Sequence, residues 1–181
     1  MIQEIVSRFA PFSASDCKKV EQELKHRKLT KNEVLLREGE ICKSAYFIQS
    51  GSLIQYQMDE IEQQIIDLHI ENEWFLNHSS FIAQKPSATT ITAFEESEIL
   101  ELSVCSLHKL IETSPVFFAL GKILEQAQER ALFFDNSFSP AEKYNYILES
   151  RPQLIQKFPL KLISSYLKIA PETLSRVRSS Q

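Results

Sequence analysis

The chain has 181 residues, of which 43% are hydrophobic and 24% charged, and its formal net charge is -4. This balance is that of a folded globular protein, and it excludes wholesale disorder and fibrous repeats. Only Gly39, Gly51 and Gly121 are glycines, which excludes the glycine-rich phosphate loops of Walker-type and Rossmann enzymes, because those loops need several positions without a side chain.

The charges are unevenly distributed along the chain. Residues 1–138 hold 13 Lys and Arg against 21 Asp and Glu, a net -8, whereas residues 139–181 hold 7 against 3, a net +4. A basic C-terminal part indicates contact with a polyanion, although a merely solvated surface has the same composition.

The remaining composition argues against an enzyme and against a secreted protein. Three widely spaced cysteines form neither a disulfide framework nor a metal knuckle. No Ser/His/Asp arrangement or metal-ligand spacing occurs, so we expect no catalytic residues and no metal. The sequence has no signal peptide and no apolar run of membrane-spanning length, which predicts a soluble, cytoplasmic protein without membrane contact.

The first two thirds of the chain read as two helices followed by strands. The helices are predicted at 2–9 and 15–26. Runs rich in Val, Ile, Thr, Phe and Tyr predict strands at 32–37, 44–49, 52–59, 62–70 and 89–102. Turn signals at 38–40, 50–52 and 59–60 recur about every ten residues, a spacing typical of an antiparallel sandwich or roll.

A long helix is predicted to begin at Ser114-Pro115, a capping serine followed by proline at the first helical position. Its apolar residues step by three and four, which places them on one narrow stripe: Phe117, Leu120, Leu124, Ala127, Ala131 and Phe134. Such a stripe packs against a partner helix, most simply its own copy in a homodimer, or it is buried within its own domain. We favour strands on one side of this helix and a twin helix on the other.

A second unit begins after residue 138. Ser139 and Glu142 have the spacing of a capping box, and helices are predicted at 141–149, 160–167 and 171–179. The last two, joined by a turn at 168–170, have the spacing of a helix-turn-helix, with a core of Ile163, Leu167, Ile169, Leu174 and Val177. The exposed side of the last helix then carries short polar or forked side chains suited to base edges in a major groove. A generic helical cap fits the same spacing.

These features together resemble the Crp/Fnr family of bacterial transcription regulators. The strongest likeness is the run Pro171-Glu-Thr-Leu-Ser-Arg176, together with Gly39-Glu40, Tyr46-Phe47-Ile48 and Gly51 in the strand-rich part. The resemblance implies an α+β fold with a jelly-roll-like, cyclic-nucleotide-binding β-roll (1–113), a dimerisation helix (114–138) and a helix-turn-helix DNA-binding domain (139–181). It implies a homodimer bound to a two-fold symmetric site on double-stranded DNA. The alternative is a small-molecule sensor or interaction module with a vestigial helix-turn-helix.

Carried over by position, the resemblance assigns DNA-binding residues in the last helix. Glu172 and Arg176 look like the base-reading pair, and Thr173 and Ser175 look like phosphate or packing contacts. The full predicted set is Pro171, Glu172, Thr173, Ser175, Arg176 and Arg178. Lys168 stands where the family usually has glycine, a left-handed position that costs a residue with a side chain about 1 kcal/mol. The sequence ends soon after this helix, so the expected fold lacks most of the family's wing.

The effector pocket departs further from the family. Aligned on Ser87-Ala88, the phosphate-binding arginine position is Pro86, and the ribose-binding glutamate position is Asn77 or His78. We therefore predict that cyclic AMP is not a tight ligand, and that a cyclic nucleotide or some unknown small-molecule effector is the only cofactor to consider. The candidate pocket residues are Trp74, Asn77, His78, Ser79, Pro86, Ser87, Ala88 and Thr89. A vestigial, unoccupied site is the alternative.

Overall fold

A computed structural model describes residues 2–59, 62–132 and 138–179, with only the backbone given at 129–132. Its N-terminal part contains two helices, eight strands and two further helices within those ranges: α1 (Ile2–Ser7), α2 (Ala14–Glu23), β1 (Lys25–Leu29), β2 (Val34–Leu36), β3 (Ser44–Ser50), β4 (Ser52–Asp59), β5 (Glu62–Ile70), β6 (Trp74–Phe75), α3 (His78–Ala83), β7 (Thr90–Ala93), β8 (Ser97–Ser103) and α4 (Val104–Thr113). A 3₁₀ helix (Pro115–Gly121), α5 (Lys122–Leu132), α6 (Pro140–Ser150), α7 (Gln153–Lys157), α8 (Leu160–Leu167) and α9 (Pro171–Ser179) follow.

The described strands form two antiparallel sheets, which we call the roll. One sheet has the order β1-β8-β3-β6 and the other β2-β7-β4-β5. Apolar side chains from both sheets form one core with α1, α2, the 3₁₀ helix and α5. The predicted α+β fold with a jelly-roll-like roll is confirmed.

Most of the predicted strands are present, but two strands were predicted as one. The strands predicted at 44–49, 52–59 and 62–70 correspond to β3, β4 and β5. The segment 89–102, predicted as one strand, is instead β7 and β8 in different sheets, with residues 94–96 turning between them. Because β8 pairs with β3 while β7 pairs with β4, the chain must cross from one sheet to the other at this point.

The turn between β3 and β4 depends on Gly51. Its φ is +91°, a region that residues with a side chain rarely adopt. A Cβ at this position would lie 2.5 Å from the Glu96 carbonyl oxygen and 2.7 Å from Ser97 Cα. The close approach of the turn to the start of β8 therefore leaves no room for any side chain.

The apolar stripe that was predicted for the long helix lies partly on a 3₁₀ helix and faces the core of its own chain. Its helix begins at Ser114-Pro115 as expected, but residues 115–121 form a 3₁₀ helix before α5 starts. Phe117, Leu120 and Ala127 are buried in this chain's own core, and Leu124 packs against that core. In this conformation the stripe is covered by its own domain, which is the alternative named above, and the homodimer seam stays a prediction. The Ala131 side chain and Phe134 lie outside the described residues.

Helices α6 to α9 form a bundle that rests on the roll. Ser139 caps α6, and the predicted capping box is present: the Glu142 N–H donates to Ser139 Oγ, and the Ser139 N–H donates to Glu142 Oε2 at 2.7 Å. The bundle core is continuous with apolar residues of β4 and β5, among them Ile65, Leu68 and Ile70. The bundle thus covers the outer side of β5 and shares a core with the roll.

None of the helices in the described ranges combines the length and apolarity that crossing a bilayer requires.

Candidate nucleic-acid interface and ligand pocket

Helices α8 and α9 form the predicted helix-turn-helix. Ile163, Leu167 and Leu174 are fully buried between them, and Ile169 and Val177 pack at the edge of the same cluster. Lys168 adopts the left-handed conformation expected of it, with φ 55° and ψ 46°, and its N–H donates to the Ser164 and Ser165 carbonyls at the end of α8. The turn forms here with a lysine in the position that favours glycine.

One face of α9 is polar and exposed. Glu172, Ser175, Arg176 and Ser179 follow at intervals of three, one and three, so they share a side of the helix, and all four are exposed. Pro171 and Arg178 are also exposed, whereas Thr173 is half-buried. The exposed set predicted from the sequence therefore lies on the open side of α9, and Leu174 is the residue that anchors the helix.

The bundle's cations divide into two groups. Lys143 is buried and donates to the Leu167 carbonyl at 3.1 Å, and Arg151 and Lys157 pair with acidic residues of the roll. The other Lys and Arg of residues 139–179 are exposed on or beside α8 and α9: Lys161, Lys168, Arg176 and Arg178. The cations that are not used within the fold thus lie on α8, at its C-terminal end and on α9.

A small cavity in the roll contains most of the predicted effector residues. It encloses about 170 Å³ and includes Asn77, His78, Ser79, Ala88 and Thr89, together with five residues not predicted, Gln55, Ile66, Asp67, Leu76 and Ala127. We call this set the roll pocket. Its volume is below the ~300–1,000 Å³ of pockets that enclose drug-sized ligands.

Asn77 organises the wall of the roll pocket. Its Oδ1 accepts the Ser80 N–H and caps α3, while its Nδ2 donates to Ser87 Oγ at 2.7 Å and Thr89 Oγ1 at 2.8 Å. Gln55 Nε2 also donates to Thr89 Oγ1 at 2.8 Å. Because these groups are buried and bonded to one another, the Asn77 amide is already committed within the protein.

Three predicted pocket residues lie elsewhere. Trp74 is 1% exposed and packs in the core with Phe9 and Phe47, at ring-centroid distances of 6.5 and 5.5 Å. Pro86 forms an isolated bridge with Ile41 on the surface, and Ser87 is buried behind the wall, where its Oγ donates to the Thr89 carbonyl. Trp74 thus belongs to the core, and the Ile41 bridge holds Pro86 away from the cavity.

The charge of the roll pocket is carried by a residue that sequence reasoning missed. Asp67 contributes a carboxylate, and no Lys or Arg is among the described lining side chains. Arg151 pairs with Asp67, with its Nη1 3.5 Å from Asp67 Oδ1, and is not among the lining residues. The alternating pattern of β5 was the available signal, because it places Asp67 and His69 on the same face of that strand. In the ranges that the structure covers, no group of three or more His, Cys, Asp or Glu could hold a metal ion.

Comparisons with known proteins agree with this architecture. Residues 26–114 match the family model of the cyclic nucleotide-binding domain. Comparison with curated proteins finds no significant match.

Solved structures of similar fold cover most of the chain. FixK2 from Bradyrhizobium japonicum has a TM-score of 0.66 at 17% identity, covering 87% of this chain and 83% of its own. The catabolite activator protein of Thermus thermophilus has 0.59 at 16%, covering 95% and 84%. DNR from Pseudomonas aeruginosa has 0.56 at 20%, covering 98% and 86%.

Residues 26–114, which hold nearly all of the β-roll, are similar to the cyclic nucleotide-binding domain and form its two-sheet roll. With its C-terminal helices, the chain has the fold of Crp/Fnr-like proteins, as the sequence resemblance predicted.

Proposed function

We propose that this chain is a sequence-specific, homodimeric DNA-binding transcription regulator of the Crp/Fnr type. The observation that carries the proposal is the open polar face of α9, where Glu172, Ser175 and Arg176 are exposed, with three further exposed cations on α8, at its end and on α9. Arg reads guanine through O6 and N7, Glu accepts from the cytosine amino group, and lysines neutralise phosphates. The shared fold with other Crp/Fnr-like proteins supports the same role.

The pairing of two chains is part of the proposal. A homodimer presents two copies of α9, and these reach successive major grooves when they lie about 34 Å apart. The target is then a two-fold symmetric site with half-sites about ten base pairs apart.

Selection from a randomised duplex library tests this function. The full chain is expected to enrich a two-fold symmetric motif. Arg176→Ala is expected to lower affinity for that motif by about 10- to 100-fold and to relax one position of each half-site, because a bidentate base contact is lost.

Two variants serve as controls for that selection. Arg178→Ala should weaken binding to all sequences alike and reduce the salt dependence, as for a phosphate contact. Arg37→Ala, an equal charge change on the exposed roll surface, should leave binding unchanged. If the unsubstituted chain enriches no motif, the regulator proposal fails and the sensor or interaction module stands in its place.

The effector of this regulator is proposed not to be cyclic AMP. The described lining of the roll pocket holds the Asp67 carboxylate and no Lys or Arg, so a cyclic phosphate would meet repulsion and lose its bidentate partner. Asn77 and Thr89 are also already bonded to each other.

Isothermal calorimetry with cyclic AMP and cyclic GMP is expected to show no binding tighter than about 100 μM, since losing one charge-assisted contact alone costs ~2 kcal/mol or more. Restoring a cation with Pro86→Arg should leave affinity low, because residue 86 is held at the Ile41 bridge outside the cavity. A micromolar dissociation constant for the unsubstituted chain would overturn this prediction.

A further inference from the structure

Arg151 is the main polar link between the bundle and the roll. It caps the end of α6, and its side chain crosses to the roll. Nε and Nη2 donate to the two carboxylate oxygens of Glu73 at 3.0 and 2.7 Å, and Nη2 also donates to the Leu68 carbonyl at 2.6 Å. Nη1 donates to the Tyr166 hydroxyl at 3.2 Å and lies 3.5 Å from Asp67 Oδ1. The guanidinium thus joins α6 and α8 to β5 and to the turn before β6.

The charge of this cluster is buried. Arg151 is 9% exposed. Burial alone would lower the pKa of Arg151, but the carboxylates of Glu73 and Asp67 outweigh it and hold that pKa above its ordinary value. A buried charge of this kind is tolerated only while its partners stay in place, so the loss of one carboxylate weakens the whole contact.

Asp67 takes part in both the roll pocket and the contact between roll and bundle. It is a wall residue of the roll pocket and a partner of Arg151. Two residues earlier on β5, the Ile65 N–H donates to Ser165 Oγ of α8 at 3.0 Å. The strand segment that closes the pocket is therefore the same segment that holds the bundle.

We propose that Asp67 couples the roll pocket to the bundle: a pocket occupant that presents a cation or hydrogen-bond donors to Asp67 draws this carboxylate away from Arg151 and loosens the bundle on the roll. The ligand class is a small cationic or donor-rich molecule, which the carboxylate attracts and a cyclic phosphate does not match. The coupling itself does not depend on DNA binding. Its consequence does rest on the proposed function: a loosened bundle reorients α9, and this reorientation changes the affinity for DNA.

Hydrogen exchange of the full chain without DNA tests the coupling independently of DNA binding. Asp67→Asn is expected to speed exchange in β5 and α8 about tenfold or more, because a charge-assisted contact to Arg151 is lost. Glu73→Gln should act in the same way. The double variant Asp67→Asn with Arg151→Lys should exchange no faster than the faster single variant, because both substitutions open the same contact.

Two controls identify the contact. Lys157→Ala removes an ion pair that also joins bundle and roll, Lys157 Nζ to Glu95 Oε1 at 2.6 Å, but whose side chains are about a third exposed. It should change exchange by less than threefold, as surface pairs do. Exchange of β1 and β8, on the other sheet, should stay unchanged in every variant and shows that the roll is folded.

A tethered cation tests the role of the pocket. Ala88 is exposed and lines the roll pocket with Asp67, so Ala88→Lys places an ammonium at its entrance and Ala88→Met places an uncharged side chain of similar length. Faster exchange of β5 and α8 in Ala88→Lys but not in Ala88→Met supports the coupling. If exchange of β5 and α8 is faster in Asp67→Asn but unchanged in Ala88→Lys, the coupling is overturned and Asp67 has only a structural role. Unchanged exchange in both Asp67→Asn and Glu73→Gln overturns the link itself.

Discussion

Phe117→Ala is expected to lower the free energy of unfolding by about 3–5 kcal/mol, the range for deleting a buried phenyl ring. Phe117 is fully buried in the 3₁₀ helix and stacks on Phe12 with ring centroids 5.7 Å apart. The surrounding side chains come from several elements of the roll core, so they close the resulting cavity only in part.

Phe118→Ala is the matched control. Phe118 is the next residue of the same helix but is 66% exposed, so its removal should change stability by no more than about 0.5 kcal/mol. Urea denaturation measures both, with sedimentation at several protein concentrations. Weaker self-association of Phe117→Ala with unchanged unfolding of the dilute chain would place Phe117 in a seam between subunits and contradict its position in the core.

Gly51→Ala is expected to cost about 4 kcal/mol of stability. Two effects add: the positive φ strains any residue with a side chain by ~1–2 kcal/mol, and the new methyl group must push back the Glu96 carbonyl and the Ser97 backbone, at ~1–3 kcal/mol. The turn cannot move away without disturbing the β3–β8 pairing beside it.

Gly39→Ala separates these two effects. Gly39 has nearly the same φ, +87°, but no atom lies within 4 Å of its added Cβ. Only the strain remains, so the expected loss is ~1–2 kcal/mol, and thermal or urea unfolding should place it well below that of Gly51→Ala. Equal losses at the two glycines would show that the close contact contributes nothing.

The helix-turn-helix was predictable because its signals are local. Pro159 and Pro171 precede or begin α8 and α9, which have the bounds predicted from the sequence. The Ser139 capping box and the left-handed Lys168 depend on neighbours within a few residues, so the amino-acid sequence alone specifies them.

The strand β1 illustrates what local pattern misses. Its sequence, Lys-His-Arg-Lys-Leu, has no apolar alternation, and the preceding helix was predicted to run to residue 26. It is a strand because β8 pairs with it: Lys25 faces Glu101 and Lys28 faces Glu98 in the register, with an ion pair between Lys28 and Glu98. The stabilising partners lie some seventy residues away in sequence.

Some residues of the roll pocket were predicted from the sequence, and others were found only in the structure. Asn77, His78, Ser79, Ala88 and Thr89 were placed by their alignment with a known motif, and the structure brings them together. Asp67 and Arg151 were not predicted, since one lies in an ordinary alternating strand and the other at a helix end. Only the packing of the bundle against β5 brings their side chains within 3.5 Å.

The sequence by itself determined the change from a strand-rich to a helical part, the bounds of α8 and α9 and the basic character of the C-terminal part, because periodicity, caps and charge are properties of neighbouring residues. The class of fold and the helix-turn-helix were implied by the resemblance to a known family. The sequence also determined that Phe117, Leu120 and Ala127 form an apolar stripe, but not what covers it. The tertiary structure decided that these three pack into their own core and that Arg151 joins the bundle to β5 at the Leu68 carbonyl. Periodicity identifies the face that avoids water, whereas the choice of its partner depends on shapes and charges that come together only in the folded chain.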